Sequence, residues 1–174
     1  NCDNLARVTL PDTVTVLQEG LFYDCEALKQ LNTASITRIE AEAFYNCDSI
    51  GKLADTPLLT YVGDRAFYNC TGLQDVELGE AVTFVGEECF GNCVELSSIT
   101  MNGTIPGISR YCFYGCRNLK EIRFSDQQKR SLRLIGVEAF AQCEQLKNLD
   151  FREFSQLKQM GERTFSGCRE LISV

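Results

Sequence analysis

The sequence has 174 residues and a formal net charge of −7 at pH 7, and 44% of its residues are hydrophobic. The acidic balance argues against a nucleic acid as partner, because contact with a phosphate backbone needs a basic face. No stretch approaches the roughly 18–20 consecutive apolar residues of a membrane-spanning helix, so no membrane insertion is expected in this segment. The composition therefore favours one packed domain or a short repeat array.

A unit of about 23 residues repeats along the whole sequence, which is typical of a solenoid. Its most regular part reads Phe-x-x-Cys-x-x-Leu-x-x-Leu, with other aliphatic residues at the last two positions in some copies. The sequence begins inside one copy, at Cys2, and seven further copies begin at Phe22, Phe44, Phe67, Phe90, Phe113, Phe140 and Phe165.

Each unit predicts two short strands. The first follows the Cys and alternates apolar and polar residues, as in Val76-Glu77-Leu78, which indicates one buried face. The second carries an apolar pair eight and five residues before the Phe. Glycine often follows this pair, as a tight corner would need; these glycines are Gly63, Gly86, Gly136 and Gly161.

A turn is predicted between the Phe and the Cys of each unit. Asn, Asp or Gly stands two residues after most of the Phe residues, at Asp24, Asn46, Asn69, Asn92, Gly115 and Gly167. These residue types tolerate left-handed backbone. Because no single coil can bury its own apolar face, we expect the coils to stack in register, roughly 4.8 Å apart, with parallel sheets around one continuous core.

The repeat resembles the BspA-like subclass of leucine-rich repeats, most clearly in Leu59–Phe67, Cys70–Leu78 and Leu132–Phe140. The resemblance covers essentially the whole chain. It implies an α/β-type leucine-rich repeat solenoid that is rich in β-structure, a right-handed superhelix of about seven stacked coils in a single domain over residues 1–174. Members of that family are commonly surface proteins of bacteria and protozoan parasites, are associated with adhesion and protein–protein contact, and carry no catalytic motif.

Eight of the ten cysteines occupy one position of the repeat: Cys2, Cys25, Cys47, Cys70, Cys93, Cys116, Cys143 and Cys168. A small thiol fills a core well. Side chains of in-register coils also point the same way, which suits packing better than the crossed geometry of a disulfide. We therefore interpret these cysteines as a structural column of free thiols.

Two alternatives remain for the other two cysteines, Cys89 and Cys112, which replace an alanine of neighbouring coils. They could form a disulfide between adjacent coils. Together with Cys93 and Cys116 they could also hold zinc, although the usual spacing in zinc sites is Cys-x-x-Cys. We favour packing over both, and we predict neither a metal nor a cofactor.

The sequence contains no histidine, which removes the commonest general base and every Ser-His or Cys-His pair. No phosphate-binding glycine loop occurs, and no pair of carboxylates is placed by the repeat in a pocket. We therefore expect no enzymatic activity. Two glycosylation sequons begin at Asn69 and Asn102; in a secreted eukaryotic protein Asn102 would be the better acceptor, because it lies past a strand end.

The residues that flank the inner position of the first strand should point to the open sheet face, which solenoids use for protein partners. A merely solvated face is the alternative. The predicted binding residues are Arg7, Gln30, Asn32, Lys52, Asp75, Glu77, Ser98, Thr100, Glu121, Arg123, Asn148 and Asp150, with Thr9 and Ala54 in the same register.

Two further sets of side chains should face away from the core. An aromatic stripe of Tyr23, Tyr45, Tyr68 and Tyr114 follows the Phe column by one residue; these rings form either a weaker recognition surface or a stack that shields the turn. A set on the second strand consists of Val16, Tyr61, Phe84 and Leu134, which are exposed at an interface or simply half-buried.

The only obvious loop excursion is predicted at residues 125–131, where Lys129 and Arg130 should stand out from an acidic body. The chain starts and stops inside a coil without a capping sequence. We therefore expect it to be an excerpt of a longer protein, with end-to-end contact to flanking repeats; contact of its ends with other chains is the alternative.

The sequence thus predicts a binding module that recognises another protein, for example in adhesion, at the cell surface or outside the cell. An intracellular structural or scaffold component of a larger assembly is the alternative. Free thiols in quantity favour a reducing compartment, whereas the family resemblance favours the surface.

Overall fold

The computed structural model describes residues 1–53 and 55–174. Most strands of the described residues are two residues long, and the single helix among these residues has six. The elements are β1 (Arg7–Val8), β2 (Val16–Leu17), β3 (Gln30–Leu31), β4 (Arg38–Ile39), β5 (Lys52–Leu53), β6 (Tyr61–Val62), β7 (Asp75–Leu78), β8 (Phe84–Val85), β9 (Ser98–Met101), β10 (Gly107–Ile108), β11 (Glu121–Phe124), α1 (Asp126–Ser131), β12 (Leu134–Ile135) and β13 (Gln159–Met160).

The strands form two rows of parallel sheets, because most coils contribute one strand to each row. The first row consists of the pair β1–β3 and the sheet β5–β7–β9–β11, and the second of β2–β4–β6–β8 and β10–β12–β13. Every pairing is parallel and joins equivalent positions of the repeat. The predicted β-rich solenoid of about seven stacked coils is confirmed. No helix of the described residues is long and apolar enough to cross a membrane.

The phenylalanine column forms the axis of the core. Neighbouring rings stack from Phe22 to Phe165 with centroids 4.9 to 5.8 Å apart. The inner members are 1% exposed or less; they are Phe67, Phe90, Phe113 and Phe140. Stacking distances this close to the strand spacing hold the rings in van der Waals contact along the whole solenoid.

The predicted left-handed turn is present in every coil that carries Asn, Asp or Gly there, with φ from 55° at Asp24 to 79° at Gly167. The asparagines have a second role. Asn69 Nδ2 donates to Asn46 Oδ1 at 2.9 Å, and Asn46 Nδ2 donates to Asp24 Oδ1 at 2.8 Å. This ladder of amides links the turns of three successive coils.

The turn region is a ribbon of overlapping β-turns. Ala43 N donates to Glu40 O and Cys47 N donates to Phe44 O, whereas the intervening Phe44 N donates to Ala66 O of the next coil. A turn with positive φ at its third residue has type II geometry. This explains a second left-handed position, two residues before the Phe, at Glu42, Arg65, Glu88, Tyr111, Glu138 and Arg163. The sequence did not reveal it, because its occupants are not residues that favour this conformation.

The glycines after the second strand do not have the role that we predicted for them. Gly63, Gly86, Gly136 and Gly161 have no positive φ, so the corner does not need their conformational freedom. A Cβ atom at Gly63 would instead lie 2.6 Å from Ala41 N of the preceding coil, and one at Gly86 would lie 2.4 Å from Asp64 N. Glycine is needed because the backbones of successive coils approach each other closely.

The insertion that we predicted as a loop is helical. Residues Asp126–Ser131 form α1, and the Ser125 side chain caps the helix by accepting a hydrogen bond from Gln128 N. Gln128 is fully buried, and its amide both accepts from Ile105 N at 3.0 Å and donates to Ile105 O at 2.7 Å. Lys129 is half-buried and pairs with Glu153 and Asp126, so of the two cations only Arg130 stands out into solvent.

The ten cysteines are all free thiols, including Cys89 and Cys112, and most are buried. Cys2 is exposed and Cys168 is half-buried because each lies in a terminal coil, covered from one side only. In the inner coils each thiol of the column donates to the carbonyl oxygen of the Phe one coil earlier. The Sγ–O distances are 2.9 to 3.2 Å for Cys47, Cys70, Cys93, Cys116 and Cys143.

This hydrogen bond gives a chemical reason for cysteine at this position of the repeat, which packing alone does not supply. The Phe44 carbonyl already accepts from Cys47 N within its own coil, and the Cys70 thiol occupies its second acceptor position. Burial raises the pKa of Cys47 and of Cys93 to about 12. The thiols therefore stay protonated at neutral pH and act as donors.

Replacing Cys70 with alanine removes this donor and leaves a small cavity. We expect the Cys70→Ala variant to lose about 1 kcal/mol or more of its free energy of unfolding. The control is Cys2→Ala, which should change the stability by less than about 0.5 kcal/mol because Cys2 is exposed. Urea unfolding monitored by circular dichroism measures both, and equal stability of the two variants would contradict a role for the column.

The close approach of the coils predicts the effect of Gly63→Ala. The new methyl group would meet backbone atoms, which cannot move aside as a flexible side chain can. We expect a loss of about 1–3 kcal/mol in the free energy of unfolding. A Cβ at Gly51 meets nothing within 4 Å, so Gly51→Ala should cause no loss. If both variants unfold at the urea midpoint of the wild type, the coils are not held at this distance in solution.

Candidate protein-binding face

The predicted binding residues of the central coils lie side by side on the sheet β5–β7–β9–β11. Lys52, Asp75, Ser98 and Glu121 are partners in register. Glu77, Thr100 and Arg123 form a second line two residues further along the strands. Equivalent side chains on neighbouring parallel strands are roughly 4.8 Å apart, so these seven residues make one continuous surface.

The pleat of the strands separates this surface from the core. In β7 the exposed Asp75 and Glu77 alternate with the buried Val76 and Leu78. Ser98 and Thr100 in β9 are half-buried, whereas the charged side chains of β5 and β11 are exposed. The central sheet therefore presents polar and charged groups of both signs to solvent.

Hydrogen bonds across and along the strands order part of this surface. Ser98 Oγ donates to Asp75 Oδ1 at 2.7 Å, and the Arg123 guanidinium pairs with Glu121 of the same strand. Exposed pairs of this kind contribute little to stability. Within the described part of the chain Glu77 and Lys52 form no salt bridge, so their charges are available to a partner.

The remaining predicted face residues lie beyond this sheet. Arg7 and Gln30 are register partners in the separate pair β1–β3. Asn148 forms an isolated parallel β-bridge with Ser173, and Asp150 forms a salt bridge with Arg152. Both residues lie outside the named strands. The hydrogen bonds from Arg152 lower the pKa of the exposed Asp150 to about 2. Ala54 lies outside the described residues.

Asn32, also predicted on this face, makes hydrogen bonds within the fold. Its Oδ1 accepts from Leu10 N at 2.7 Å and its Nδ2 donates to Leu10 O at 2.8 Å. This bidentate contact ties the second coil to the first beyond the end of β1. The side chain is half-buried and has its main polar atoms engaged.

The aromatic stripe divides into a stack and a separate ring. Tyr23 and Tyr45 stack with centroids 4.7 Å apart, and Tyr45 and Tyr68 stack at 5.2 Å. The stack ends at Gly91, because a Cβ atom there would lie 2.9 Å from the Tyr68 ring. Tyr114 makes an edge contact with Tyr111 instead. All four tyrosines of the stripe are half-buried, and the stack covers the turns beneath it.

The second strand row carries a partly apolar surface. Tyr61 and Phe84 are register partners, and their rings stack at 4.8 Å with an interplanar angle of 7°. Arg38, their neighbour in register, places its guanidinium 3.9 Å from the centre of the Tyr61 ring. Sequence reasoning overlooked Arg38, although its position in the repeat is the same. Leu134 packs over Gly107, and both Phe84 and Leu134 are 40% exposed.

The pKa values of Cys89 and Cys112 bear on whether these thiols could attack a substrate or bind a metal. The thiolate is the form of cysteine that attacks substrates and binds metals. Burial raises the pKa of Cys89 and of Cys112 above the ordinary value of 9.0, and the proximity of the two thiols raises that of Cys89 further. No group of three or more Cys, Asp or Glu among residues 1–53 and 55–174 could hold a metal ion.

The family of the chain follows from its repeats. The model of the BspA-type leucine-rich repeat region matches residues 1–93 and 37–172 with six copies. The chain belongs to this family. The resemblance seen in the repeat is therefore confirmed, and the two matches together extend over nearly the whole sequence. No curated protein matches this BspA-type chain.

Solved leucine-rich repeat proteins share the architecture. The T. pallidum protein TpLRR is 28% identical, with a TM-score of 0.78 over 91% of this chain and 72% of that one. A leucine-rich repeat protein from Bacteroides ovatus ATCC 8483 is 20% identical, with a TM-score of 0.55 over 99% of this chain and 67% of that one. A leucine-rich cell surface protein from Faecalibacterium prausnitzii A2-165 is 22% identical, with a TM-score of 0.51 over 99% of this chain and 60% of that one. The last two show the fold alone.

Proposed function

We propose that this BspA-type chain is a non-catalytic module that binds another protein through the sheet β5–β7–β9–β11. The observation that carries the proposal is the continuity of this surface. Four strands in register present Lys52, Asp75, Glu77, Glu121 and Arg123 as exposed charges above a buried apolar layer. A rigid scaffold that holds charged groups at fixed spacing can match the opposite charges of a partner protein. Such electrostatic complementarity gives binding its specificity.

Charge reversal tests the role of this face. The double variant Asp75→Lys/Glu77→Lys inverts the charge of β7 without touching the core. A matched control, Glu19→Lys/Glu162→Lys, makes the same change in charge at two exposed residues that follow strands of the second row. Each chain is immobilised and incubated with the same protein extract, and the bound proteins are quantified by mass spectrometry.

We expect the β7 variant to retain at least tenfold less of the proteins that the wild type binds, and the control to stay within twofold. Circular dichroism establishes that both variants remain folded. Equal retention by wild type and both variants would exclude the sheet face as the binding site.

We infer a location at the cell surface or outside the cell. The inference is supported by the association of BspA-like repeats with surface proteins, and one protein of the same fold is named a cell surface protein. Antibodies raised against the chain should label intact cells of the source organism as strongly as permeabilised cells. Labelling that requires permeabilisation would instead favour the alternative, an intracellular scaffold component.

A further inference from the structure

The outer surface of the second strand row carries no negative charge. It consists of the two residues that stand between the aliphatic pair of each of seven units, from Thr15 in the first to Gln159 in the last, and we call it the second face. All its residues are exposed or half-buried. They include the cations Arg38, Arg133 and Lys158 and no carboxylate, although the chain has 24 acidic and only 17 basic residues. A positive surface on an acidic protein favours an anionic partner.

Two of these cations lie next to each other without a counter-ion. Arg133 and Lys158 take the same position in adjacent coils, and Lys158 N donates to Arg133 O at 2.9 Å. Both side chains are exposed, and neither forms a salt bridge with any residue that the structure describes. At the second left-handed position, by contrast, charges of adjacent coils alternate, as in Arg65 and Glu88. Like charges side by side on neighbouring strands repel each other, so a carboxylate between Arg133 and Lys158 would remove a repulsion.

An apolar strip leads up to the two cations. It begins with the stacked rings of Tyr61 and Phe84 and continues with Leu134, which lies over Gly107 of the intervening coil. Phe84 and Leu134 are each 40% exposed. Because Leu134 directly follows Arg133 in the chain, the strip ends where the cations begin. An apolar surface that continues over several coils beside polar groups is typical of an interaction site.

The groups at the other end of the second face are already engaged. The Arg38 guanidinium lies over the Tyr61 ring and bonds to Glu40 at 2.8 Å. The hydroxyl of Thr60 donates to the carbonyl of Thr37 in the preceding coil, and Thr37 and Thr83 make the same bond with their own neighbours. These hydroxyl protons are not available to the hydroxyl groups of a sugar. The free groups are therefore the apolar strip and the two cations, which fit a protein segment better than a polysaccharide.

We propose that the second face binds an acidic segment of a partner protein. Its carboxylates lie between Arg133 and Lys158, and an aromatic side chain of the segment packs on Phe84 and Leu134. This surface belongs to a different strand row from the sheet β5–β7–β9–β11. It is thus a second interaction surface, and it does not depend on the proposed function.

A fluorescein-labelled peptide, acetyl-Asp-Asp-Ser-Phe-Ser-Asp-Asp-amide, tests the proposal by fluorescence anisotropy. In an extended chain its carboxylates lie roughly 7–10 Å from the Phe, which matches the roughly 10 Å between two coils that separates Phe84 from Arg133. Carboxylates on both sides allow either chain direction. We expect saturable binding that weakens at least tenfold when the Phe is replaced by Gly or the Asp residues by Lys. Absence of saturable binding, or equal binding of the three peptides, would overturn the proposal.

Charge reversal on the protein locates the carboxylates. Arg133→Glu/Lys158→Glu should weaken peptide binding at least tenfold. The control Lys29→Glu/Lys120→Glu makes the same change in charge at two exposed lysines outside the second face, which form no salt bridge among the residues described. It should weaken binding less than twofold, with folding of both variants checked by circular dichroism. Equal weakening by the two variants would show that the peptide responds only to net charge, and the proposal would be wrong.

Truncation of one leucine locates the aromatic side chain. Leu134→Ala should weaken peptide binding at least fivefold, because it shortens the apolar strip beside the cations. Leu21→Ala is the matched control, since Leu21 is 47% exposed and lies outside the second face. It should change binding less than twofold. If Leu134→Ala binds the peptide as tightly as Leu21→Ala does, the strip takes no part in binding and the proposal fails.

Two further measurements separate this proposal from its alternatives. Asp75→Lys/Glu77→Lys should not weaken peptide binding. If it abolishes binding while Arg133→Glu/Lys158→Glu retains it, the peptide binds to the first strand row, and this proposal fails while the proposed function stands. Heparin is the probe for a polyanion without an apolar side chain. Heparin that binds through Arg133 and Lys158 where the peptide does not would overturn the assignment to a protein segment.

Discussion

The backbone hydrogen bonds between successive coils are the constraint on which this structure depends. In the turn ribbon, N–H groups alternate between a partner within the coil and a carbonyl of the next coil, as Ala43 N and Phe44 N do. In the strands the same inter-coil bonds join equivalent positions in register. Because a polar backbone group without a partner is costly when buried, each coil must lie at a fixed distance and register above its neighbour. Every side chain is thereby placed against its own counterpart.

Columns of like residues are the consequence. Aromatic rings stack from Phe22 to Phe165, and each inner thiol bonds to the carbonyl of the Phe below. Two Asn amides extend a hydrogen-bonded ladder up from Asp24. At the second left-handed position the charges alternate instead, since Arg65 pairs with Glu88 above it and with Glu42 below it. A position of the repeat tolerates any set of residues that attract their neighbours in the adjacent coils at this spacing, which is why apolar, polar and alternating charged columns coexist.

Sequence reasoning reached the features that repeat. The spacing of Phe, Cys and the aliphatic pairs predicted both strand rows. The left-handed turn at Asn46 was predicted from the residue type, because Asn tolerates this conformation. It did not reach features that depend on distance between backbones, such as the close contact that requires Gly63. It also missed α1, whose buried Gln128 replaces backbone pairing by a bidentate contact with Ile105. On the candidate face it placed Asp75 and Glu77 side by side with Ser98 and Thr100, but it did not show that Asn32 is engaged with Leu10.

The helix α1 shows how a repeat protein can lengthen one coil without disturbing the others. Each coil is held by contacts in two rows and a turn ribbon, so a change in one connection is confined to a single interface while the other contacts keep the stack intact. The additional residues after β11 form α1, and Gln128 bonds to both backbone groups of Ile105 in the preceding coil, so no other coil has to adapt. Diversity in such proteins can therefore arise from the length of individual repeats as readily as from substitutions on their faces.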